Sequence, residues 1–76
     1  MRATELQIGQ SARIIEIEEG HVSKKLLEMG CIPGTRVELE FRSPAGDPIA
    51  HNVDGYVLGL RLAEANLIKV EPEVNG

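Results

Sequence analysis

The sequence has 76 residues, 42% hydrophobic and 26% charged, with eight Lys and Arg against twelve Asp and Glu for a net charge of −4, one cysteine and no tryptophan. This excludes an internal disulfide and every multi-cysteine zinc or iron–sulfur framework, opposes binding to phosphate backbones, and leaves room for one small domain. Strictly apolar runs stop at Tyr56-Val57-Leu58, far short of the roughly 20 residues of a spanning helix. Met1-Arg2-Ala3-Thr4-Glu5 lacks the apolar core of a signal peptide, so the chain is expected in the cytoplasm.

Leu6 to Gln10 reads as a lead-in with a turn at Ile8-Gly9-Gln10, followed by a strand over Ala12 to Glu18 in which Ile15 and Ile17 share a face. Gly20 breaks that strand. His21 to Met29 has a helical period, with Val22, Leu26 and Met29 on one stripe, and Ser23 is a candidate cap. Gly30 suits the left-handed residue that ends a helix in a Schellman motif, in which Cys31 would touch Leu26. Pro33-Gly34 fits the centre of a type II turn, because proline presets φ and glycine accepts the positive φ that follows.

Thr35 to Ser43 alternates cleanly, with Val37, Leu39 and Phe41 facing inward and Arg36, Glu38, Glu40 and Arg42 outward. Ser43 to Pro48 must be a loop. The returning strand carries Ile49, His51 and Val53 at one parity, and Gly55 suggests a bulge or sharp bend before a strand over Tyr56 to Leu60. Leu62 to Asn66 suits one helical turn, with Asn66 as a left-handed exit, and Ile68 and Val70 form a last strand. The expected fold is mainly β: a small SH3-like antiparallel barrel of about five strands, with one short helix after the first and a helical turn before the last. One domain fills residues 1–76, with a core over about 6–71 and a loose tail at 72–76. Closure is expected because it would remove exposed sheet edges.

Three segments carry a resemblance. Leu26-Leu27-Glu28-Met29-Gly30-Cys31-Ile32-Pro33-Gly34-Thr35-Arg36-Val37, the loop Pro44-Ala45-Gly46-Asp47-Pro48-Ile49, and Gly55-Tyr56-Val57-Leu58-Gly59-Leu60-Arg61 with Glu64-Ala65 and Ile68-Lys69-Val70 resemble, in order, the FeoA family. His51 departs from that pattern, which has an apolar residue there. The resemblance implies an SH3-like barrel and a non-enzymatic accessory of ferrous iron uptake. Its partner would be the cytosolic part of the FeoB transporter GTPase, and it would meet the membrane only through that partner. The alternative is a metal-binding or metal-sensing module: a small iron carrier, or the SH3-like domain of a metal-dependent repressor. Ferrous iron or zinc is the cofactor that either version would hold.

Cys31, His21, His51 and scattered carboxylates form no local catalytic motif, so no enzymatic activity is expected. His21, with Glu18 and Glu19 across Gly20, is a weak metal candidate against the plainer reading of a solvated helix start. His51 reads as a half-buried, hydrogen-bonded side chain at the barrel rim rather than a ligand. Leu27 lies about 100° from Leu26 on the helical wheel. If the apolar stripe is not simply wide enough to bury it, Leu27, Cys31 and Ile32 beside Lys24 form the candidate partner-binding patch. Two aromatic residues are too few for a proline-rich peptide groove.

Overall fold

In the computed structural model, which describes residues 1–73, strands β1 (Ser11–Ile17), β2 (Arg36–Arg42), β3 (Ile49–Val53), β4 (Tyr56–Leu60) and β5 (Ile68–Pro72) form one antiparallel sheet in the order β4-β3-β2-β1-β5. Helix α1 (Ser23–Glu28) follows β1, and the single turn α2 (Leu62–Ala65) precedes β5. The mainly β class and element order agree with the sequence. The expected closure does not hold, because β4 and β5 are not paired with each other and end the sheet, the outer side of β5 carrying only an isolated bridge from Arg2 to Lys69.

Two bulges reverse the pleat partway along strands that read as simple alternations. Across β1 and β5 the register steps from Ile14↔Val70 to Glu16↔Lys69, leaving Ile15 unopposed. Ile14, ahead of the bulge, is buried at 1% and Ile15, expected inward, is 52% exposed, while past the bulge Ile17 returns to pack against the core. In β2 the register steps from Leu39↔His51 to Phe41↔Ala50, with Glu40 as the extra residue. Val37 and Leu39 stay in the core, but Phe41 is turned out and is 58% exposed. An extra residue moves every later side chain to the opposite face, and sequence periodicity carries no sign of it.

Asp54 and Gly55, with φ of 50° and 94°, form a two-residue hairpin loop between the paired Val53 and Tyr56. The glycine interruption is thus a tight turn, not a bulge or bend. Asn66 stays right-handed (φ −67°) rather than making the expected left-handed exit.

The buried core unites Leu6, Ile14, Leu26, Val37, Leu39, Ile49, Leu60, Ile68 and Val70 with small neighbours. It begins earlier in the chain than expected. Ala3 is fully buried in a 3-10 turn (Ala3–Glu5), Val70 N–H donates to Met1 O (2.8 Å), and Arg42 donates to the carbonyls of Thr4 (3.1 Å) and Leu6 (2.9 Å). It also extends further: Pro72 pairs with Ala12, and Glu73 N–H donates to Ser11 O (3.0 Å), so these two residues are not a loose tail. The remainder of that expected tail, residues 74–76, lies outside the described residues.

Candidate functional site: an aliphatic surface on helix α1

The end of α1 is a Schellman motif built on Gly30, whose φ is 98°. Cys31 N–H donates to Leu26 O (3.0 Å) and Gly30 N–H to Leu27 O (3.1 Å). Ser23 does not cap the other end: Val22 is the N-cap residue, and Ser23 Oγ donates to Gly20 O (2.8 Å). Pro33 and Gly34 then turn the chain through the expected type II geometry, with Thr35 N–H donating to Ile32 O (3.0 Å) and Gly34 at φ 95°. That turn is fastened to β1, since Gly34 N–H donates to Ile14 O (2.7 Å) and Ile14 N–H to Thr35 O (2.9 Å).

This framework sorts the predicted patch residues. Leu26 is wholly buried, while Leu27, on the next face of the helix, is 45% exposed, so the apolar stripe is not wide enough to cover it. Ile32 is 52% exposed on the rigid turn that follows. Lys24 is exposed and makes no ion pair among the described residues, whereas Lys25 lies 3.7 Å from Glu64. Cys31 is a correction: the Schellman hydrogen bond draws it into the core, it is wholly buried, and desolvation pushes its thiol pKa up. The surface is therefore Leu27 and Ile32 with Lys24 at the rim. Ile15, on the stretch of β1 that the turn grips, is also exposed.

The chemistry-bearing residues are not brought together. His21 is exposed, Glu18 is ion-paired with Arg2, and among the described residues no group of three or more His, Cys, Asp or Glu could hold a metal ion. His51 is fully rather than half buried, against the N-terminal 3-10 turn. Its Nε2 lies 3.2 Å from Ala3 O, so that nitrogen donates and Nδ1 is left without a partner. Desolvation lowers its pKa, the bond to Ala3 opposes this, and the charge of Arg42 adds to the lowering. Such a histidine is neutral and enclosed. A shallow depression lined by Thr4, Leu62, Ala63 and Asn66 lies at α2, but it holds no titratable side chain. Among the described residues no helix is long and apolar enough to cross a membrane.

The expected loop over Ser43 to Pro48 has a structural task. Asp47 Oδ1 accepts the Leu62 N–H (3.0 Å) and Glu64 Oε1 accepts the Arg61 N–H (2.8 Å), so loop and helix together satisfy donors at the start of α2.

Comparison with known proteins gives these features a family. Residues 1–72 match the FeoA domain model. A fusion of Fe(2+) transport protein A with the Fe(2+) transporter FeoB in Porphyromonas gingivalis is 35% identical over 72 residues, which are 93% of this chain and 8% of the fusion protein's length. The solution structure of a FeoA-like protein from Clostridium acetobutylicum superposes with a TM-score of 0.91 at 36% identity, covering 100% of this chain and 90% of that one. FeoA from Stenotrophomonas maltophilia, crystallised with zinc and described as a prokaryotic SH3 domain protein, gives 0.84 at 26% identity, with 93% and 89% covered.

Proposed function

The chain belongs to the FeoA family, and on that premise we propose that it is a non-enzymatic, cytoplasmic accessory of ferrous iron uptake that docks on the cytosolic part of a FeoB-type transporter through α1. The single observation that carries the reading is the outward pair Leu27 and Ile32 on a turn held rigid by the Schellman and type II hydrogen bonds. An exposed aliphatic pair on a backbone that needs no ordering is the chemistry of a docking surface. The fused relative supports the choice of partner, because a covalent link holds the two domains at high effective concentration and a contact of modest affinity then suffices. The net charge of −4 disfavours nucleic acid, and contact with the membrane runs through the transporter alone.

Binding of the purified chain to the transporter's cytosolic domain, measured by calorimetry, tests this. Leu27→Glu or Ile32→Glu is expected to weaken binding about tenfold or more, equivalent to about 1.4 kcal/mol. No binding by the parent chain would sink the accessory reading, and equal binding by parent and variants would move the contact away from α1.

A second reading, a metal-binding or metal-sensing module that holds ferrous iron or zinc, draws on the zinc-complexed relative. It predicts stoichiometric uptake of zinc or ferrous iron that His21→Ala abolishes.

A further inference from the structure

The two edges of the sheet are made differently. β5 reads Ile-Lys-Val-Glu-Pro, with charge and a proline, and its outer side is partly covered by the N-terminal segment, through a bridge from Arg2 to Lys69 and the Val70 N–H to Met1 O bond. β4 reads Tyr-Val-Leu-Gly-Leu, with no charge and no proline, and pairs with β3 in unbroken register from Val53↔Tyr56 to Ile49↔Leu60.

The Asp54-Gly55 turn decides which backbone groups of β4 face outward. A two-residue loop is closed by a hydrogen-bonded pair, here Val53 and Tyr56. Tyr56, Leu58 and Leu60 therefore direct their N–H and C=O groups at β3, and Val57 and Gly59 direct theirs away from it. Outside the ladder, no backbone group among the described residues bonds to either. Val57 is 59% exposed, Tyr56 is 75% exposed and Gly59 is exposed.

We propose that β4 pairs antiparallel with β4 of a second copy of this chain, about a two-fold axis at Leu58. In that register Val57 of each copy lies opposite Gly59 of the other, and the outward N–H and C=O of both residues find partners. The strand is complementary to itself in shape and charge. A Cβ built on Gly59 meets nothing within 4 Å, so the glycine leaves room for the opposing Val57 side chain. The same register sets Gly55 opposite Arg61, which brings the Asp54 turn of one copy beside the guanidinium of the other at both ends. This self-match favours a second copy over a foreign strand. The small contact makes the dimer weak and concentration-dependent.

Sedimentation velocity over a concentration series reaching the millimolar range, with amide hydrogen exchange by NMR, tests the pairing. The expected result is a reversible dimer in which the Val57 and Gly59 amides exchange more slowly as concentration rises, while Val57→Lys stays folded and monomeric. Asp54→Asn, which tolerates the positive φ, is expected to weaken the dimer by up to about fivefold. A monomer at every concentration, a dimer with unchanged exchange at Val57 and Gly59, or a Val57→Lys variant that dimerises like the parent would each overturn it. Protection of those two amides only on adding the transporter's cytosolic domain would assign the edge to a foreign strand and also overturn it.

Discussion

His51 makes the stability of this small domain depend on pH in a direction and amount that follow from its burial. The folded state resists protonating it, because the ring is fully enclosed, Nδ1 has no partner, and Arg42 stands nearby. The unfolded chain takes up the proton near the ordinary value of 6.5. Below that pH the unfolded state binds more protons than the fold, so stability falls with acid; above about pH 7.5 neither state is protonated and the effect vanishes. Between about pH 7.5 and 5.5 the loss is at most about 1.4 kcal/mol, the limit for a ring that takes up no proton in the fold. For a domain of this size that limit corresponds to a fall in Tm of at most about 5–10 °C. Thermal unfolding followed by circular dichroism across this range, on the parent and on His51→Leu, measures it. The variant replaces the orphaned nitrogen with apolar volume and is expected to lose most of the slope. An NMR titration of the His51 ring protons supplies a site-specific check. Equal pH slopes in parent and variant, or a His51 ring that titrates at or above 6.5, would refute the reasoning.

Three further outcomes follow from the turns and from the buried thiol. Gly34→Ala forces a side chain onto φ 95° in the turn that supports Ile32, and is expected to cost about 1 kcal/mol in urea unfolding, with no steric clash to enlarge it. Asp47→Ala removes the acceptor of the Leu62 N–H and is expected to cost about 1 kcal/mol, with the amides of α2 exchanging faster than those of α1. Cys31 is expected to react with a thiol reagent far more slowly than a cysteine placed at exposed Ile32, and to approach that rate only on addition of denaturant, because it is buried and its thiol pKa is raised.

How much of the molecule was legible in the chain depended on how local the deciding physics was. The Schellman end of α1 and the type II turn at Pro33-Gly34 are made by residues a few positions apart, and both formed where glycine and proline marked them. The hairpin at Asp54-Gly55 had an equally local signal: the dipeptide demands positive φ at both positions, and reading Gly55 without Asp54 missed it. The angle of Leu27 on the helix set it off the buried stripe, but only the packing decided that the stripe does not cover it. Its neighbour Cys31 was readable as packed through the same Schellman geometry that removes it from the surface patch.

Sequence alone thus determined the element order and most of the turns, which rest on short-range periodicity or on residues with restricted φ, and its motifs carried the resemblance to the family. Tertiary structure decided where pleats reverse, which edges stay open and what covers the N-terminus. The bulges at Ile15 and Glu40 are mismatches of length between paired strands, so no single strand encodes them, and they turn Ile17 inward and Phe41 outward. The open β4 edge follows from sheet order, and the burial of His51 from an N-terminal turn 48 residues away along the chain. Each depends on contacts between distant segments, which patterning along one segment does not record.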